Sequence, residues 1–188
     1  MGRSFANLHI KTHNFEKTIE ALKLLSHELK NKEREYEAEE TSIVMHLRDS
    51  NEYWISVLHD YFVWGTVKKI GKALSRLVDE PVMTAGYINE EIFELSIFEN
   101  GEIRAERIFC EEWTREDYEL KEERLNDDYL QEVLDIPDEE LEDFLSISSP
   151  GQAVDKLSEL VNMTLWCDSE WVPHEEYLRN TFEKYEWR

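Results

Sequence analysis

The stretch PVMTAGYINEEIFELSIFENGEIRAERIF, residues 81–109, decides the class of fold. Pro81 opens a β-rich run at a strand start, where a missing backbone N–H is tolerated. In IFELSIF, Phe93, Leu95 and Ile97 alternate with Glu94 and Ser96, the period of a strand with one buried face. Asn100-Gly101 follows, a pair that accepts the positive φ of a type I′ turn, and EIRAERIF returns as the partner strand. The segment therefore predicts a mixed or antiparallel sheet.

Upstream, strands and helices alternate. In FANLHIK, Leu8 and Ile10 alternate with Asn7, His9 and Lys11, as in a half-buried strand. Asn14 is placed to cap a helix whose stripe is Phe15, Ile19, Leu22, Leu25 and Leu29. The polar segment NKEREYEAEE, residues 31–40, ends that helix or extends it into solvent. SIVMHLR and YWISVLH flank the turn-prone DSNE and predict a hairpin. After Gly65 and Thr66, the positions Val67, Ile70, Leu74 and Leu77 form a second helical stripe. The expected order is β-α-β-β-α-β-β-β. Residues 5–60 and 54–100 share the grammar strand, helix, strand, Asn-Glu turn, strand, which fits either a duplicated unit or the same local grammar without shared ancestry.

Beyond residue 110 the strand signal stops. Thr114 with Asp117 resembles a capping box, Asn126 caps DDYLQEVL, and Pro137 opens DEELEDFL. Ser149-Pro150-Gly151-Gln152 combines an N-cap, Pro at N1 and Gln at N3, ahead of the stripe Val154, Leu157 and Val161. A last helix is expected after Pro173, with Leu178, Phe182 and Tyr185 on one side. The class is α+β: a sheet domain over residues 1–110 and an acidic helical region over 111–188, packed on or beside it as one compact unit.

Of the 188 residues, 41% are hydrophobic and 12% aromatic, enough for a packed core. No apolar run approaches the roughly 18–20 residues of a membrane span. MGRSFANLHIK lacks the apolar region of a signal peptide, and Phe5 and Asn7 do not fit a myristoylation motif. Cys110 and Cys167 have no metal-type spacing, so a reduced cytoplasmic location is expected. A net charge of −22 opposes direct binding to nucleic acid or to an anionic membrane surface, and it favours basic partners.

The charge is concentrated. Residues 110–145, CEEWTREDYELKEERLNDDYLQEVLDIPDEELEDFL, hold 16 carboxylates and 3 basic side chains. Apolar residues recur there every three or four positions, and acids gather at helix starts, where they complement the helix dipole. One reading is a solvated helical face. The other is a surface that docks a basic protein by imitating the charge array of nucleic acid. Its candidate residues are Glu116, Asp117, Asp127, Asp128, Glu139 and Glu140, with Trp113, Tyr118 and Tyr129 as aromatic anchors. Calcium fits poorly, because there is no D-x-D-x-D-G loop.

A second chemistry comes from strand parity. His9 lies opposite Leu8 and Ile10, and His46 opposite Ile43, Met45 and Leu47; Glu94 and Glu106 take the equivalent parity. On an open sheet face, His9, His46, Glu94 and Glu106 would converge as ligands for Zn²⁺, Fe²⁺ or Mn²⁺. The strand–helix grammar around ANLHIKTHNFEKTIEAL, residues 6–22, resembles that of the vicinal-oxygen-chelate enzymes, which implies such a metal-bearing face. The second module departs from that pattern in strand count. P-loop, G-x-G-x-x-G, G-x-S-x-G and H-E-x-x-H motifs do not occur.

The preferred expectation is a noncatalytic protein-binding or inhibitor module of the immunity-protein type, without a cofactor, engaging a basic partner. The alternative is a metal-dependent enzyme or small-ligand binder on the open sheet face. A third reading is a homo-oligomer that buries that face against another copy.

Overall fold

The computed structural model describes residues 3–33 and 43–187. Over the first 110 residues the expected order is the observed one: β1 (Phe5–Ile10), α1 (Phe15–Glu33), β2 (Ile43–Asp49), β3 (Ile55–Leu58), α2 (Val67–Leu74), β4 (Val82–Ile88), β5 (Ile92–Glu99) and β6 (Glu102–Phe109). There follow α3 (Glu112–Asp117), α4 (Asp127–Leu134), α5 (Asp138–Leu145), α6 (Pro150–Val161), α7 (Glu176–Thr181) and β7 (Glu183–Trp187). The strands form one seven-stranded sheet in the order β6-β5-β4-β1-β3-β2-β7. Every neighbouring pair in it is antiparallel.

Local chemistry sets most of the boundaries. The Asn14 side chain accepts the Lys17 N–H at 3.1 Å and starts α1. That helix runs to Glu33, and the rest of the polar 31–40 segment lies outside the described residues. Asn100 and Gly101, at φ 53° and 79°, make the turn expected between β5 and β6. Asn89 and Glu90, at φ 52° and 63°, make a second turn of the same hand between β4 and β5. Asn126 and Ser149 cap α4 and α6 through the N–H groups of Tyr129 and Gln152. Thr114 does not cap: Glu111 precedes α3, and Thr114 is buried inside that helix.

Both faces of the sheet are covered. On one, Leu8, Ile10, Met45, Leu47 and Val57 pack with Leu22 and Leu25 of α1 and with Val67, Ile70 and Leu74 of α2. Gly71 lets α2 approach closely, because an added Cβ would overlap the Thr84 methyl group. On the other face, Phe5, Met83, Leu95 and Phe109 pack with Val133 of α4, Phe144 of α5, and Val154 and Leu157 of α6. Full burial of each such aliphatic or aromatic side chain contributes roughly 1.5–3 kcal/mol.

The C-terminal region was expected to be helical throughout, yet it supplies the seventh strand. The helix after Pro173 stops at Thr181, and Glu183–Trp187 pairs with β2 from Ile43↔Trp187 to Leu47↔Glu183. Tyr185 and Trp187 then alternate onto the α1 face, beside Phe15. Pairing with a sheet edge overrides the helical spacing of Leu178, Phe182 and Tyr185. The suspected duplication is not repeated in space: β3 pairs with its leading strand β1, whereas β5 pairs with β6.

Candidate functional site

The acidic region is anchored on the β6 edge. The Glu106 N–H donates to the Arg124 carbonyl at 2.9 Å, and the Ile108 N–H donates to Glu122 Oε1 at 3.4 Å. Arg115 donates to both Glu122 oxygens at 3.0 Å and to the Ile108 carbonyl at 2.7 Å. These contacts occupy an edge that would otherwise be open to another strand. They also hold α3 and the loop after it in one place. The apolar stripes of α4 and α5 face the core, so 15 of the 16 carboxylates in residues 110–145 are left exposed.

The nine residues expected at a docking surface divide into two groups. Glu116, Asp117, Asp128, Glu139 and Glu140 are exposed and make no ion pair with any of the described residues. Trp113 and Tyr118, 61% and 53% exposed, project beside Glu116 and Asp117 from the same short segment. The Tyr118 hydroxyl donates to Glu91 at 3.0 Å, and this bond raises its pKa. Asp127 and Tyr129 are committed to the fold. Asp127 pairs with Arg107, while the Tyr129 hydroxyl donates to Glu99 at 2.8 Å and its ring lies under the Arg104 guanidinium. Burial, reinforced by that hydrogen bond, raises the Tyr129 pKa.

The expected metal-binding face does not form. His9 and His46 do share a face, since β1 and β2 flank β3 with His9↔Ser56 and His46↔Leu58 in register. That face is covered by the C-terminal region. Glu94 and Glu106 lie on the other side of the sheet, because Phe93, Leu95 and Ile97 point towards α4–α6. Parity within each strand was right; the premise of a single covered face was wrong. Among the described residues no three His, Cys, Asp or Glu side chains converge to hold a metal ion.

His9 instead sits in a closed relay. One ring nitrogen lies 2.7 Å from Ser56 Oγ and the other 2.6 Å from Asn7 Oδ1. Burial lowers its pKa to about 3, so the ring is neutral at pH 7. His46 is lowered as well, by burial, with Asp60 opposing and Lys184 adding to the effect.

The carboxylates on the opposite face form a charged cluster that the sequence did not reveal. Glu106 is fully enclosed, 2.5 Å from the Lys68 ammonium, and accepts from Ser96 Oγ at 2.7 Å and the Glu123 N–H at 3.0 Å. Glu94 is buried beside this group, and burial raises its pKa to about 7 against the opposing charge of Lys68. Burial works to lower the Lys68 pKa, but its bond to Glu106 and the charges of Glu94, Glu106 and Glu123 raise it on balance. The Trp64 indole N–H is buried without a partner among the described residues. Both thiols are buried, and burial pushes Cys167 up to about 12, which makes it a poor nucleophile.

No helix among the described residues is long and apolar enough to cross a membrane. Comparison of the chain with protein-family models, curated proteins and solved structures returned no match.

Proposed function

We propose that this is a cytoplasmic, noncatalytic binding protein of the inhibitor or immunity type, which docks a basic protein on the outer face of α3–α5. One observation carries the reading: exposed carboxylates without an ion pair among the described residues stand on three consecutive short helices, of which α4 and α5 pack apolar stripes into the core and α3 is held to the β6 edge through Arg115. Charge held in a rigid array steers an oppositely charged partner over long range and gives it one docking register. Trp113 and Tyr118 supply exposed aromatic area at the same place. The net charge of −22 disfavours nucleic acid itself as the ligand, so a nucleic-acid-binding protein is a fitting target.

The test is affinity capture from the source cell at low and high salt, using wild type and a variant with Glu116, Asp117, Asp128, Glu139 and Glu140 all changed to Lys. A basic protein retained by wild type at low salt, and lost both at high salt and with the variant, supports the reading. Equal retention by the two proteins at low salt overturns it.

A further inference from the structure

A cleft of about 470 Å³ lies between the β2–β3 turn and the C-terminal ends of α4 and α6. Its polar wall is made by Lys11, Ser50, Asn51, Glu52, Asp135 and Asn162. Its apolar wall includes Trp54, Leu134, Leu160 and Val161.

The His9 relay determines what Ser50 offers this cleft. The Asn7 amide N–H₂ donates to the Leu165 and Cys167 carbonyls at 2.8 and 2.9 Å, so the end facing His9 is the oxygen. A neutral His9 must then donate from Nε2 to Asn7 and accept at Nδ1. Ser56 Oγ, 2.7 Å from Nδ1, therefore donates to the ring. Ser50 Oγ, 2.5 Å from Ser56 Oγ, donates to Ser56 in turn. With its proton committed, the Ser50 hydroxyl presents lone pairs alone to the cleft.

The rest of the wall has the same character. Glu52 and Asp135 add two carboxylates. α4 ends at Leu134 and α6 at Val161, and each helix end carries roughly half a negative charge. The opposing cation, Lys11, donates to the Val133 carbonyl at 2.6 Å. The Asn51 amide donates to the Val161 and Asn162 carbonyls at 2.9 and 3.3 Å. The chain's own donors already sit on the helix ends, and among the described residues unspent acceptors remain at Ser50, Glu52 and Asp135.

We propose that this cleft binds a small organic cation, an ammonium or guanidinium group on an apolar stem. The charged head sits among Ser50, Glu52 and Asp135, and the stem lies against Leu134, Leu160 and Trp54. The volume falls within the roughly 300–1,000 Å³ typical of small-molecule sites.

Calorimetry with 2-phenylethylamine, its uncharged counterpart 2-phenylethanol, and agmatine tests the site on the intact chain. The ammonium compound should bind at least about tenfold more tightly than the alcohol, a difference of about 1.4 kcal/mol. Asp135→Asn and Glu52→Gln should each weaken it by about three- to tenfold, the scale of one charge-assisted hydrogen bond in a partly exposed site. Asp135 stands at φ 55°, a conformation Asn also tolerates, so the first variant keeps the helix cap. Leu160→Trp should fill the cleft and abolish binding, with folding checked by its thermal melt. Glu139→Gln with Glu140→Gln should leave affinity unchanged, which separates this site from general attraction to an acidic protein. Three results would overturn the proposal: no binding of either cation to wild type, equal binding of amine and alcohol, or full affinity in both the Asp135→Asn and Glu52→Gln variants.

Discussion

The two faces of the sheet bury polar groups in opposite ways. Towards α4–α6, Asn7, His9 and Ser56 form a neutral chain in which each proton has an acceptor. Towards α2, Lys68 and Glu106 keep charges in a partly dry place, held by one short ion pair, beside Glu94, whose ionisation burial opposes. The first arrangement costs little, because paired neutral groups give up water for equivalent bonds. The second depends on every partner staying in place, since a lone buried charge is expensive. Both faces also carry an apolar core, so substitutions can separate packing from polar design.

The largest effect belongs to packing. Phe144→Ala, a fully buried residue of the acidic layer, should cost about 3–5 kcal/mol in urea unfolding. A loss under 1 kcal/mol would mean that the acidic helices rest on the sheet without sharing its core. Next comes the ion pair: Lys68→Met strands the Glu106 carboxylate and should cost about 2–4 kcal/mol, reduced if water reaches the gap. Glu106→Gln in the same background should recover part of that loss.

The smaller effect is one of pH. Glu94 titrates near 7 in the folded chain against 4.5 in the reference state. Its contribution to stability is therefore fully present below about pH 4.5 and is lost as the pH rises through 7. His9, held near 3 against 6.5, runs the other way: its contribution is present above 6.5 and is lost as the pH falls towards 3. Glu94→Gln should gain on wild type between pH 5 and 8 by on the order of 1–3 kcal/mol. An equal difference at both pH values would show that Glu94 is not the titrating group. The smallest effect is at the surface: Trp113→Ala should shift stability by less than about 0.5 kcal/mol, whatever it does to binding.

The order of the first eight elements was legible because each carried its own period and its own turn or cap: Asn14, Asn100-Gly101, the alternation of Phe93 to Ile97. β7 was not. Leu178, Phe182 and Tyr185 have helical spacing, and only the free edge of β2 makes Glu183–Trp187 a strand. The parity of His9 and Glu94 was readable strand by strand, but alternation cannot say which side of a doubly covered sheet a given strand presents. The cleft was hidden for a different reason. Ser50 to Trp54, Val133 to Asp135 and Leu160 to Asn162 meet there from three distant stretches, and none of them carries a motif.

The proposed docking face is tested most directly by the association rate of a basic protein captured at low salt with wild type and with the five-site Lys variant at low ionic strength. A fall of roughly 10- to 1,000-fold in the variant, shrinking as salt is added, is the expected result for a steered encounter. Equal rates at low salt, in a variant that melts like wild type, would mean that the exposed carboxylates of α3–α5 serve solubility alone.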